Sequence, residues 1–341
     1  PMTMATPDEF NNYFANVADN IISSLPDVQT DPVATMMDPI PGLRLIKWKE
    51  VSTIEVLSMV RGFKDSRSQD VHGLSTFILK SVINEIVGPL TLTVNACLRN
   101  GIFPEILKTS RTVPVFKKGD PMLPSNFRPI SLVPIFSKVF ETIMKTQLME
   151  YFEQNKLLLD AQHGFRRGRS TTTAMLSLVD RITEAFEDRD SVLLGLCDLS
   201  KAFDVVSHEI LSAKLRKYGI GGTVLSSVCN YLSNRKQLVS LMGASSNTKS
   251  ILHGVPQGSV LGPFLFTIMI NDLHMNDQTL LFADDTTLMS RGSDITQLRL
   301  EASYLLEEAK DWFNCNRLKI NEEKTQTLLC TLKTGVPFQE A

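Results

Sequence analysis

The sequence predicts a mixed α+β chain, and three observations carry that prediction. From Thr279 to Met289, two short apolar arms flank an Asp284-Asp285 pair, the pattern of a β-hairpin with carboxylates at its tip. From Ser191 to Leu199 the residues are apolar on both faces, as in a strand buried on both sides, and this strand ends at Asp198. Elsewhere the apolar residues recur at helical spacing, so helices and strands share the chain.

In chain order, Thr6-Pro7-Asp8-Glu9 forms a capping box with proline at the first helical position, followed by Phe10, Phe14, Val17 and Ile21 on one face. The stretch from Pro26 to Pro41 is rich in Asp, Pro and small residues and reads as a linker or surface arm. Ser52 and Glu55 cap a further short helix. A helical pattern from Ser75 to Asn100 is broken once at Gly88-Pro89, which predicts a helical hairpin or a kinked helix, and Asn100-Gly101 ends it. Arg111 to Lys118 has strand composition with a proline suited to an edge, and Gly119-Asp120-Pro121 turns the chain.

Asn126 to Leu132 reads as a turn followed by extended chain, and Phe136 to Phe152 returns to helical spacing. His163 to Thr171 is a basic loop that leads into a helix ending near Phe186. Ser207 looks like a helix cap. The apolar run Val260 to Ile270, interrupted by Gly262-Pro263, is too short to cross a bilayer and reads as core. Between Ser293 and Phe313, a helix places Leu298, Ala302, Leu305, Ala309 and Trp312 on one packing face.

A chain of 341 residues has room for two or three cores, and its apolar and charged fractions are those of a soluble globular protein. The five cysteines form no C-x-x-C pair, so neither a zinc site nor a disulfide framework is indicated and reduced, intracellular thiols are expected. The apolar residues near the start are periodic and mixed with acids, unlike a secretory signal. The net charge of −2 conceals a gradient. The first sixty or so residues are acidic, whereas between Lys108 and Arg169 basic residues outnumber acids, as on a phosphate-contacting surface.

Two carboxylates held side by side on a turn repel each other unless a cation neutralises them, so Asp284 and Asp285 point to a divalent-metal platform. An ordinary turn is the plainer explanation of the pair alone; Asp198 adds the third carboxylate. A carboxylate at the end of a doubly buried strand needs a metal, a base or a helix N-terminus. If that strand lies beside the hairpin, Asp198 and Asp284 can share two magnesium ions in the layout for in-line nucleotidyl transfer. Asp204, just ahead of the Ser207 cap, is a weaker ligand. Phe165, Arg166, Arg167 and Arg169 combine basic, aromatic and glycine chemistry suited to backbone and base contacts, though a surface loop with one buried Phe explains them nearly as well.

Asp198-Leu-Ser-Lys-Ala-Phe-Asp204, Gly254-Val-Pro-Gln-Gly-Ser-Val-Leu-Gly-Pro263 and Phe282-Ala-Asp-Asp285 resemble, in order and spacing, three central motifs of reverse transcriptases from non-LTR, LINE-type, jockey-like retrotransposons. Val113 to Asp120, Asn126 to Leu132 and Gln162 to Thr171 are similar to the finger motifs of that group. Phe10-Asn-Asn-Tyr-Phe14 and Asp70-Val-His-Gly-Leu-Ser75 are similar to what precedes those fingers.

This resemblance implies a right-hand polymerase fold of fingers and palm, the palm an antiparallel sheet packed on helices. Residues 1–60 would be a helical and linker extension, 61–190 the fingers region and 191–335 the palm. Asp198, Asp284 and Asp285 match the metal-binding catalytic carboxylates. Phe203 matches the ring under the incoming sugar that excludes a 2′-hydroxyl; a core Phe is its plainer reading. Gln257 matches a residue touching incoming nucleotide and template, with Gly258 permitting close approach. Lys117 or Lys118, with Arg128, match the finger residues that clamp the triphosphate. Lys324 resembles the lysine near the leaving pyrophosphate, where it would act as a general acid.

The implied activity is RNA-directed DNA synthesis from deoxynucleoside triphosphates with two Mg2+ ions, manganese being a substitute. Its partners would be an RNA template and a DNA primer, without a membrane, in the nucleus and cytoplasm. The sequence stops soon after Lys324, so the primer grip and thumb are expected to be missing. An endonuclease domain is expected on another part of the parent polypeptide. Two other functions compete: a catalytically silent RNA-binding relic of such a polymerase, and a metal-dependent phosphodiesterase, for which no histidine is suitably placed.

Overall fold

The computed structural model describes residues 5–26, 28, 30–34, 36 and 45–334, so part of the expected Pro26 to Pro41 linker lies outside the described residues. Those residues divide into two units, each holding one sheet. The first takes its residues from Pro1–Asn20, Met37–Leu157 and Phe203–Leu265, and the second from Ile21–Met36, Leu158–Ala202 and Phe266–Ala341.

In the first unit, helix α1 (Pro7–Ile22) begins at the expected box, where the Glu9 carboxylate accepts from the Thr6 N–H at 2.6 Å and the Thr6 hydroxyl accepts from the Glu9 N–H. Ser52 and Glu55 form the second box, ahead of α2 (Thr53–Gly62). Helix α3 (Thr76–Asn100) decides between the two expected forms against the helical hairpin, because one helix runs through Pro89. Proline removes a single N–H from the ladder, and the remaining bonds carry the helix to Gly101, which caps it at φ +68. Among the described residues α3 alone is long and apolar enough to cross a membrane, and it packs within its unit on α2.

Strand β1 (Thr109–Phe116) pairs antiparallel with β2 (Phe127–Leu132) and parallel with β4 (Arg235–Leu241), so the strand expected at an edge is flanked on both sides at Arg111 and Thr112. Pro114 fits because the β4 pairing has ended there and its partner across β2 is Pro129, which also lacks an N–H. Helix α4 (Ile135–Gln154) follows β2; α6 (His208–Lys217), capped by Ser207, and α7 (Gly222–Leu232) precede β4. Short strands β5 (Ala244–Ser245) and β6 (Lys249–Ile251) fold back on β4. Phe10 and Phe14 of α1 pack with Phe127 and Val239, covering one face of this sheet.

The second sheet has the order β7-β8-β3-β9 and is antiparallel throughout. Strand β3 (Ser191–Cys197) lies inside it, between β8 (Asp285–Gly292) and β9 (Gln326–Cys330), which explains why the sequence there is apolar on both faces. Strand β7 (Leu280–Phe282) forms the expected hairpin with β8. Helix α5 (Thr171–Glu187), started by Ser170, packs Ala185, Leu178 and Ile182 against Val192, Leu194 and Met289. Helix α9 (Ile295–Cys315), capped by Asp294, buries Leu298, Ala309, Trp312 and Phe313 and packs on β8 and β3. The apolar run after Val260 is core, with α8 (Gly262–Met269) fully buried along most of its length.

Candidate active site

The second sheet gathers the expected carboxylates by strand register. Cys197 pairs with Thr286, so one further step of the ladder sets Asp198 across from Asp285. Phe282 pairs with Asp285, which leaves Ala283 and Asp284 as the two residues of the turn. The backbone of Asp198 is held as well: its carbonyl accepts from the Asn321 N–H at 2.8 Å, next to a bridge between Leu199 and Ile320. The chain then turns through Asn321, whose carbonyl accepts from the N–H groups of Lys324 and Thr325, and Lys324 Nζ donates to Asp198 Oδ2 at 2.8 Å.

Charge follows from this geometry. Asp285 is exposed over much of its surface, yet desolvation around its carboxyl, with the charges of Asp284 and Asp198, pushes its pKa above the ordinary carboxylate value. The donors are all hard oxygens and their mutual repulsion favours a cation, so their chemistry suits a divalent ion. Among the described residues, however, no three His, Cys, Asp or Glu side chains stand together as a ready ligand set.

The first unit holds the residues expected to meet the nucleotide. In the β1–β2 hairpin, Val115 pairs with Arg128 and Phe116 with Phe127, and the Lys117 N–H continues the ladder to the Asn126 carbonyl. Alternation therefore puts Lys117 and Arg128 on one face, opposite the face on which Phe127 is buried under α1. Lys117, Lys118 and Arg128 are all exposed. Phe203 is half-buried, short of a core Phe.

The loop bearing Gln257 is stitched to the Phe203 segment. Gly254 and Val255 donate N–H bonds to the carbonyls of Val206 and Phe203 at 2.8 Å each, and a side chain at Gly254 would meet the Asp204 carbonyl at 2.5 Å. Asp204 Oδ1 accepts from Gln257 Nε2 at 3.0 Å, so this acid orients the glutamine. The charge of Asp204 also adds to the desolvation that raises the Tyr13 pKa. Gly258, at φ +107, allows close approach of a neighbour in the fold: a Cβ there would lie 2.7 Å from the Ser131 carbonyl oxygen. Ser131 in turn donates to the Gln257 carbonyl at 2.7 Å.

In the basic loop, Phe165 and Arg167 are exposed. Arg166 donates to the Leu159 carbonyl and Arg169 to the Asp160 carbonyl and carboxylate, so both guanidinium groups brace the loop itself.

Glu141, which the sequence did not single out, and Asp70, marked there only as part of a motif, hold these parts in place. Glu141, fully buried on α4, accepts from Ser137 Oγ and from the Val260 and Leu261 N–H groups, anchoring the loop that follows Gln257. An acid within an apolar helix face was the available signal. Asp70 accepts from the His72 and Leu74 N–H groups and from the Ile135 N–H at the start of α4.

Residues 115–338 match the family described as reverse transcriptase (RNA-dependent DNA polymerase). The chain is 29% identical over 351 residues to a probable RNA-directed DNA polymerase from transposon BS of Drosophila melanogaster, covering 97% of this chain and 38% of that protein. It is 30% identical over 271 residues to the probable RNA-directed DNA polymerase from transposon X-element of the same species, covering 76% and 29%. An RNA-directed DNA polymerase from mobile element jockey, also of that species, is 28% identical over 257 residues, covering 72% and 28%. The chain thus spans between 28% and 38% of the length of these relatives.

Proposed function

The chain belongs to the reverse transcriptase (RNA-dependent DNA polymerase) family, with relatives in non-LTR retrotransposons, and from that premise we propose that it copies RNA into DNA. The observation that carries the proposal is the antiparallel register that sets Asp198 across from Asp285, beside Asp284 in the turn and with Lys324 on Asp198. In this reading the second sheet belongs to a palm and the β1–β2 hairpin to fingers.

Asp198, Asp284 and Asp285 would hold divalent ions, magnesium by preference. When bound, these ions supply the acidity that activates a primer hydroxyl and the positive charge that stabilises the leaving oxygen. The protein's own groups do the rest. Lys324 holds a proton at Nζ for the departing pyrophosphate. Arg128 offers a fork to phosphate oxygens, and Lys117, which shares its face, adds a point charge; the shared face favours Lys117 over Lys118. The Phe203 ring blocks a ribose 2′-hydroxyl, and Gln257, oriented by Asp204, touches the incoming base pair. Phe165 and Arg167 meet the RNA template.

The partners are RNA, a DNA primer and deoxynucleoside triphosphates, with DNA cutting assigned to an endonuclease domain elsewhere in a parent polypeptide. In this reading the protein works inside the cell, in nucleus and cytoplasm. The test is deoxynucleotide incorporation on an RNA template carrying a DNA primer. Magnesium-dependent extension, with the deoxynucleotide KM raised more by Lys117→Ala than by Lys118→Ala, supports the reading; RNA binding without extension favours a silent relic.

A further inference from the structure

The geometry points to Gln162 as the residue that positions the carboxylate turn, an assignment that rests on the catalytic reading of Asp198, Asp284 and Asp285. The turn needs an external hold. Ala283 sits at φ +56, a left-handed conformation that an alanine adopts only when its surroundings impose it. Gln162 imposes it: its Oε1 accepts from the Ala283 N–H at 3.1 Å and from the Gly164 N–H at 2.6 Å.

The neighbouring backbone completes the grip. Leu281 donates to the Ala161 carbonyl at 2.9 Å and His163 donates to the Leu281 carbonyl at 2.8 Å, so residues 161–163 run along β7 as a parallel bridge. Gly164 lies against the turn so closely that a Cβ would be 2.2 Å from the Ala283 nitrogen. Gln162 is fully buried, and its Nε2 has no hydrogen-bond partner among the described residues. The oxygen alone therefore orients the amide, since a flipped amide would present its NH2 group to two N–H donors.

Asp284 is the next residue of this turn and Asp285 opens the following strand, so displacing Ala283 displaces both carboxylates. Gln162 thus acts through the turn, as a positioning residue. It also joins the turn to the exposed Phe165 and Arg167 of the basic loop, three and five residues further on.

The experiment compares Gln162→Met, which keeps the length and removes the acceptor, with Gln162→Asn, whose oxygen stops short. We expect amide exchange to quicken in the peptide spanning Leu280 to Asp285 and kcat for deoxynucleotide incorporation to fall about 10²-fold, the scale of a misplaced reacting group. The deoxynucleotide KM and RNA affinity should hold, while the thermal midpoint falls because two buried N–H groups lose their acceptor. If Gln162→Met does not fold, Gln162→Asn decides by the same readouts. Wild-type exchange and kcat in a folded variant overturn the assignment, and so does a joint loss of kcat, KM and RNA affinity in both. Asp198→Asn serves as the control. Synthesis that persists in it, or is absent from wild type, overturns the catalytic reading instead and leaves exchange to judge the clamp.

Discussion

Lys324 and Asp198 are joined by an ammonium–carboxylate bond of 2.8 Å, made across 126 residues of sequence because Asn321 fastens its turn to the Asp198 carbonyl. Both side chains remain partly open, at 48% and 37% exposure, so the pair is too wet to matter much for stability. In the proposed reaction its value is in placing a proton. Lys324→Ala should lower kcat by about 10²-fold, at the lower end for loss of a general acid, with little change in deoxynucleotide KM. Lys324→Arg should not restore the rate, because guanidinium does not release its proton. Pre-steady-state incorporation checks both, and a fast Ala variant would return Lys324 to a counter-charge.

Phe203 is half-buried on a segment fastened to the Gln257 loop by the Val255 N–H bond to its own carbonyl. Phe203→Val should raise the use of ribonucleotides relative to deoxynucleotides, read as the ratio of their kcat/KM values. Unchanged discrimination would mean that the ring is packing only.

Asp70 serves three backbone N–H groups at 2.7 to 3.0 Å while only 6% exposed. Asp70→Ala leaves those donors without their acceptor and should destabilise the protein by about 3 kcal/mol. Denaturant unfolding measures this, and a midpoint equal to wild type would contradict it.

His163 is buried, and its pKa lies below 6.5 through desolvation first and then through Arg169, Arg166 and Arg181. Arg169 donates to Nε2, so the proton is on Nδ1 and is given to Thr173 Oγ1 at 2.9 Å. A depressed histidine means that the unfolded chain binds more protons below pH 6.5, so stability is full above that value and falls as pH drops through the window toward the folded pKa. Thermal melts should show this decline, and His163→Gln should flatten it. Identical pH profiles would exclude His163 as its source.

Legibility in the sequence followed the range of the interaction. The caps at Thr6, Ser52, Ser207 and Gly101 are local chemistry, and β3 with the β7–β8 hairpin showed through burial pattern and turn residues. Strand β4 did not show, because its buried positions include Arg235, Gln237 and Ser240, which interrupt the apolar alternation. Its parallel pairing with β1 leaves no turn signature between the two strands, so the interior place of β1 was hidden too. Pro89 marked a break that a helix anchored by Leu79, Ile83, Leu90 and Val94 tolerates. At the site, the carboxylates announce themselves by type, whereas Gln162, Glu141 and Asp204 act by holding backbone or another amide. No spacing rule marks such work.

Deoxynucleotide incorporation on a primed RNA template with magnesium, wild type against Asp284→Asn, shows whether the carboxylate turn does the chemistry. Extension should be abolished in the variant while RNA binding stays at the wild-type level. Equal extension by both proteins would contradict that role.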